Sequence, residues 1–160
     1  MKTIENTIDV SGFGKLPVSI VTIRKPGQSY TCQESQASVN VQNDVSCEIV
    51  FIKLDKGYYP AGNACDFSIS AQTVQPKGFL LELKGRDMEH AVEQLSITLQ
   101  RLKRDGVAVL YREAAVVSSG AQKIPSAKWQ IAQQQFLKAN EVRLTRYSNN
   151  GKTLFSKKIA

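Results

Sequence analysis

The clearest pattern of apolar and polar positions lies near the middle of the chain. Residues 65–70 and residues 79–84 each alternate as β-strands do, and the Pro- and Gly-containing segment between them predicts a turn. The pattern therefore predicts a β-hairpin. Because successive side chains of a strand point to opposite faces, we expect Glu82 and Lys84 to share one face while Leu83 packs on the other.

An amphipathic helix is predicted directly after this hairpin. Asp87 is suited to the N-cap position, and Gly106 marks the end of the pattern. His90 and Gln94 fall on a polar face of this helix. The apolar positions recur every three or four residues, as Met88, Ala91, Val92, Leu95, Leu99 and Leu102.

A second helix is predicted from Ser126 to about Asn140, with Trp129 and Phe136 as core residues rather than base-stacking groups. The other apolar runs predict strands. These are one strand within residues 1–35, one long strand or a hairpin over 37–54, two short strands at 107–111 and 114–117, and a closing hairpin of 141–147 with 153–156.

Length and composition fit one globular domain spanning residues 1–160. Hydrophobic residues make up 42% of the chain and charged residues 22%, which are ordinary values for a folded domain. The N-terminal residues lack the apolar segment of a signal peptide, and no apolar run is long enough for a transmembrane helix. We therefore expect a cytoplasmic protein without membrane association. The three widely spaced cysteines predict reduced thiols.

Charge is distributed unevenly along the chain. The net charge is +7, and residues 101–160 hold 12 Lys and Arg against 3 Asp and Glu. A basic segment that follows a cluster of carboxylates suits a polyanionic substrate. Lys123, Lys128, Arg143 and Arg146 are candidate phosphate contacts, although an ordinary solvated surface accounts for them nearly as well.

Asp66, Glu82 and Lys84 are the candidate catalytic group. The predicted hairpin brings two carboxylates and a lysine to neighbouring strand ends, and hard cations such as Mg²⁺ bind oxygen ligands of this kind. A Glu-x-Lys triplet alone is weak evidence, since roughly one is expected by chance in a chain of this length. A strand-edge aspartate and a solvated strand face are the alternatives.

Three segments together are similar to the PD-(D/E)XK nuclease superfamily, and in particular to its small stand-alone bacterial members. The segments are Cys65-Asp66-Phe67, Leu80-Leu81-Glu82-Leu83-Lys84-Gly85 and His90-Ala91-Val92-Glu93-Gln94-Leu95. The resemblance implies an α/β fold with a restriction-endonuclease-like core, in which helices flank a mixed central β-sheet.

The resemblance also implies site roles. Asp66 and Glu82 would bind Mg²⁺ or Mn²⁺ together with the Leu83 carbonyl, and Lys84 would position or deprotonate the attacking water. Gln94 would orient the site from the helix, with His90 as an accessory residue. The expected activity is metal-dependent hydrolysis of phosphodiesters, by an endonuclease acting on DNA in preference to RNA.

Two features depart from the family pattern. Cys65 stands where the family name places a proline, and no N-terminal helix is predicted that would supply a further glutamate, for which Glu34 and Glu48 are weak candidates. A homodimer is expected if both strands of a duplex are cut. The alternative is a catalytically silent module of the same fold that binds nucleic acid or a protein partner.

Overall fold

A mixed six-stranded β-sheet forms the centre of the structure. The structure is a computed structural model, and it describes residues 6–34, 37–84, 87–118, 126–148 and 153–155. Along the chain the elements are β1 (Thr7–Val10), β2 (Gly14–Pro17), a 3-10 turn (Val18–Ile20), β3 (Val21–Arg24), β4 (Ser29–Glu34), β5 (Ala37–Gln42), β6 (Ile49–Lys53), β7 (Phe67–Ala71), β8 (Lys77–Lys84), α1 (Met88–Arg104), β9 (Leu110–Ser118), α2 (Ser126–Asn140), β10 (Arg143–Ser148) and β11 (Thr153–Phe155).

The central sheet has the strand order β10-β9-β8-β7-β6-β3. Strands β8, β9 and β10 are parallel and are connected through α1 and α2, whereas β7, β6 and β3 pair in antiparallel fashion. The predicted hairpin is confirmed as β7 and β8, with Phe67 opposite Leu81. The prediction of an α/β fold with a mixed sheet is therefore confirmed.

The two faces of the central sheet are covered differently. Both helices pack on one face, where Leu80 and Val116 meet Leu95 of α1 and Trp129 of α2. The opposite face packs against a smaller sheet of order β11-β5-β4, through residues such as Phe51. The expectation of flanking helices is correct for one face only, since strands cover the other face in the described part of the chain.

Both predicted helices are present. The Asp87 side chain caps α1 by accepting a hydrogen bond from the His90 N–H at 3.0 Å, and α1 ends just before Gly106. Trp129 and Phe136 are buried, as predicted for core residues. Neither helix, within the residues described, is long and apolar enough to cross a membrane.

Several strand predictions were wrong. The described residues 6–34 hold four strands, where one was predicted within residues 1–35. Residues 37–54 form β5 and β6, which belong to different sheets and do not pair. The two strands expected within 107–117 are the single strand β9. The closing hairpin is absent from the described residues, because β10 pairs with β9 while β11 pairs with β5.

A buried asparagine lies where the chain passes from β5 to β6. Asn43 is fully buried, and its side-chain amide donates to the carbonyls of Arg24 at 2.9 Å and Cys47 at 2.8 Å. These bonds satisfy carbonyl groups where the chain passes from the small sheet to the central one. The alternation of apolar residues is the same in both strands, so it does not reveal that they lie in separate layers.

Candidate active site

The register of β7 and β8 places Asp66 beside Glu82. Phe67 pairs with Leu81, so the residue before β7 lies next to the residue that follows Leu81 in β8. Leu83 packs between the two sheets, as expected, and Glu82 alternates with it onto the helix-covered face. The two candidate carboxylates therefore meet at one end of the hairpin.

Asp66 is held in place by both strands beside it. Its main-chain carbonyl accepts the Leu54 N–H at 2.9 Å, and its side-chain Oδ2 accepts the Leu83 N–H at 2.7 Å. A carboxylate oxygen thus takes the place of a main-chain carbonyl at the end of the β7–β8 ladder. This arrangement fixes the carboxyl group relative to the backbone of Leu83, the residue whose carbonyl was predicted to help bind metal.

The two carboxyl groups are buried and interact directly. Only 7% of Asp66 and 4% of Glu82 are exposed. Burial raises the pKa of Asp66, while the hydrogen bonds from Glu82 and from the Leu83 N–H act in the opposite direction. Two carboxyl groups in contact need a shared proton or a cation between them.

Two further acidic residues influence the pair. The charges of Glu34, at the end of β4, and of Asp55 both raise the pKa of Asp66. Glu34 was a weak candidate from sequence, and Asp55 was missed because it lies in an irregular segment without a motif. The described residues nevertheless contain no group of three or more His, Cys, Asp or Glu side chains close enough to hold a metal ion. The carboxylate donors are therefore Asp66 and Glu82.

A buried threonine connects α1 to the segment that carries Asp66. The Thr98 hydroxyl accepts the Cys65 N–H at 2.8 Å and donates to the Gln94 carbonyl at 2.7 Å. Proline has no N–H, so a proline at this position could not make this bond. Sequence reasoning missed Thr98 because a threonine within an apolar helical face looks like an ordinary core residue.

Gln94 and His90 lie one turn apart on α1. Gln94 Nε2 is 3.4 Å from His90 Nε2, and His90 is exposed. Gln94 Oε1 is buried and receives no hydrogen bond from the part of the chain that the structure describes. Gln94 is linked to the site through its backbone, by way of Thr98, and an orienting role for its side chain stays a prediction.

The predicted lysines and arginines are placed differently from one another. Lys84 ends β8, where its backbone pairs with that of Ser118, but its side chain lies outside the described part of the structure, as does all of Lys123. The Lys128 ammonium lies 2.7 Å from Glu89 of α1. Arg143 and Arg146 are both exposed on β10, on opposite faces of the strand.

Comparisons of the chain with protein-family models, curated proteins and solved structures found no match. The chemistry of the site is therefore argued from its geometry. Mg²⁺ is commonly bound by one or two carboxylates, with water and substrate phosphate completing the coordination. Asp66 and Glu82 fit that donor set, because a cation between them would replace their shared proton.

The Thr98 bond can be tested by two substitutions. Thr98→Val keeps the shape of the side chain but leaves the buried Cys65 N–H without an acceptor, so the free energy of unfolding should fall by about 1–3 kcal/mol in urea denaturation. Exchange of the Cys65 amide proton should also accelerate. Thr98→Ser keeps the hydroxyl and serves as the control. Equal acceleration in both variants would show that the hydroxyl does not hold Cys65.

The carboxyl pair predicts how stability depends on pH. The pKa of Asp66 is higher in the folded state than in the unfolded state, where it is about 3.9. At a pH between these two pKa values, the folded state therefore binds more protons than the unfolded state. As the pH rises through this range, Asp66 lowers the free energy of unfolding. In metal-free buffer, Asp66→Asn should have the higher melting temperature at pH 7, and the difference should disappear below about pH 3.9. A wild-type protein that gains stability relative to Asp66→Asn as pH rises would contradict this assignment.

Proposed function

We propose that the protein is a metal-dependent phosphodiester hydrolase of the PD-(D/E)XK type, an endonuclease that acts on DNA in preference to RNA. The observation that carries the proposal is the buried, directly interacting pair of Asp66 and Glu82, held at the end of β7 and β8 by the Leu83 N–H. The order β7, β8, α1, β9 and α2 is also compatible with the core that the resemblance implies.

A buried carboxyl pair requires a physical reason. Taking ionised groups out of water is costly unless an opposite charge compensates them. A protein with well-packed apolar residues in the same place is often at least as stable. Strand ends are also the positions where α/β sheets carry functional residues. A divalent cation compensates both carboxylates at once, so metal binding explains the pair better than a structural role.

Each residue has an assigned role in the proposal. Asp66 and Glu82 hold Mg²⁺ or Mn²⁺ together with the Leu83 carbonyl, and Lys84 orients the attacking water or accepts its proton. Gln94 supports the site from α1. A bound cation supplies Lewis-acid stabilisation of the charge that develops on the phosphate oxygens. An ammonium group beside the same phosphate acts in the same direction.

The substrate class follows from charge. The chain carries a net charge of +7, and its basic residues are concentrated after the carboxylates in sequence. Positive surface near a metal site favours a polyanion. A single site of this type hydrolyses one strand at a time, so cutting of both strands would need two copies of the chain or two successive nicks.

Cleavage is the direct test. Wild type should cut linear or circular DNA in Mg²⁺ or Mn²⁺, and Asp66→Asn, Glu82→Gln and Lys84→Ala should each lower the rate by about 10²–10⁴-fold. Lys77→Ala is the matched control, because Lys77 begins the strand that Lys84 ends, about 23 Å away. RNA and single-stranded DNA belong in the same assay. No cutting of any substrate by wild type would reject the enzymatic proposal for the isolated chain.

The second candidate is a catalytically silent module that binds nucleic acid or a protein partner. Two observations favour this candidate. In the described residues only two carboxylates are brought together, and Cys65 departs from the family pattern. Metal binding separates the two candidates.

The two candidates predict different melting temperatures in Mn²⁺. For the enzyme, Mn²⁺ at 100 times its dissociation constant should stabilise wild type by about 2.7 kcal/mol. Asp66→Asn and Glu82→Gln should lose most of that gain, whereas Lys77→Ala should keep it. Equal shifts in all four proteins would place the metal elsewhere and favour the silent module.

A further inference from the structure

We infer that Arg101 is a positioning residue for Asp66, because it binds the segment that leads into Asp66 to helix α1. This segment, residues 54–65, connects β6 to β7. The effect of Arg101 on metal affinity rests on the proposed function, whereas its effect on the placement of Asp66 does not.

The segment folds back on itself before it reaches the site. Its beginning is joined to its end by the Leu54 N–H, which donates to the Asp66 carbonyl at 2.9 Å. Gly62 and Asn63 both have left-handed backbone, with φ of 81° and 61°. Left-handed residues occur where a chain turns tightly, and residues 62–65 lead from this turn into Asp66.

Arg101 binds this turn from the last part of α1. One guanidinium nitrogen donates to the Asn63 carbonyl at 2.7 Å and to the Gly62 carbonyl at 3.3 Å. Hydrogen bonds from a charged donor are stronger than those from a neutral one. Arg101 therefore satisfies two successive carbonyls at a point where the segment has no regular structure.

A ring from the same segment fixes the guanidinium. Arg101 Cζ lies 3.8 Å from the centroid of the Tyr59 ring. The Tyr59 ring is buried, and its hydroxyl donates to Asp105, the C-cap residue of α1, at 2.8 Å. Because the ring is held at both its face and its hydroxyl, it is a fixed surface for the cation–π contact. The segment and the end of α1 therefore hold each other.

Arg101 and Thr98 hold the same stretch of chain from one face of α1. The two residues are three positions apart, so they lie on the same side of the helix. Thr98 accepts the Cys65 N–H at 2.8 Å, and Asp66 follows directly. Ala64 and Cys65 are both buried, and closely packed chain transmits a displacement. A shift of the turn should therefore reach Asp66.

Loss of Arg101 has opposite effects on metal binding through charge and through position. A cation near the site repels a metal ion, so charge alone predicts tighter metal binding after its removal. Displacement of Asp66 predicts weaker binding, because residues that orient metal ligands commonly contribute about 10- to 100-fold to affinity. The sign of the change separates the two effects.

Arg104 provides a matched control. It lies in the same last turn of α1, and its guanidinium is 3.7 Å from the Asp105 carboxylate. Arg104→Met therefore removes one positive charge from this turn while the hydrogen bonds of Arg101 stay in place.

The first experiment measures the placement of Asp66 in metal-free protein. The Leu83 N–H donates to the Asp66 carboxylate, so exchange of the Leu83 amide proton in EDTA, followed by NMR, reports whether the carboxylate is in place. Exchange should accelerate about tenfold in Arg101→Met and less in Arg101→Lys, which keeps the charge. Arg104→Met should match wild type. Exchange of the Val116 amide, within β9, corrects for changes in global stability.

Two results would overturn the positioning role. One is acceleration at Leu83 that is no greater than at Val116, and the other is equal acceleration in Arg101→Met and Arg104→Met. If Arg101→Met does not fold, the same comparison is made with Arg101→Lys.

The second experiment measures Mn²⁺ affinity of the full chain by calorimetry, below the melting temperature of every variant. The dissociation constant should rise about tenfold in Arg101→Met and stay the same or fall slightly in Arg104→Met. Unchanged or tighter binding in Arg101→Met would show that Arg101 only stabilises the fold. Selective acceleration at Leu83, with a wild type that binds no Mn²⁺, would keep the placement of Asp66 by Arg101 and reject the proposed metal site.

Discussion

The hydrogen bond from the Leu83 N–H to the Asp66 carboxylate is the contact on which the site depends. It ends the β7–β8 ladder with a side chain in place of a main-chain carbonyl, while the carbonyl of Asp66 pairs with Leu54. Asp66 is thereby fixed between two strands, next to Glu82. Because both carboxyl groups are buried, two uncompensated charges would be unfavourable there, and the proposed cation would compensate them.

The two layers that enclose the central sheet contribute differently to this site. The smaller sheet covers the face on which Leu83 and Phe67 pack. The helices cover the other face, and α1 begins just after β8. Thr98 joins this helical layer to Cys65, so the position of Asp66 is set by both layers. Precise placement of catalytic groups requires support of this kind.

Local signals in the sequence predicted what is local in the structure. The β7–β8 hairpin, the Asp87 cap and both helices follow from short-range patterns, and the pairing of Asp66 with Glu82 follows from the hairpin register. The partners of β5, β6, β10 and β11 depend on which layer each strand enters, and alternation is the same in either layer. Asn43 and Thr98 were missed for a related reason, since their hydrogen bonds join distant segments.

The burial of the carboxyl pair decides what the site could accept. Asp66 and Glu82 are both buried, so an anion that approached the pair without a cation in the site would be repelled by the carboxylates. Under the proposed function, a cation between Asp66 and Glu82 would compensate both charges and remove that repulsion. The metal would therefore have to be in place before a phosphate could reach the pair.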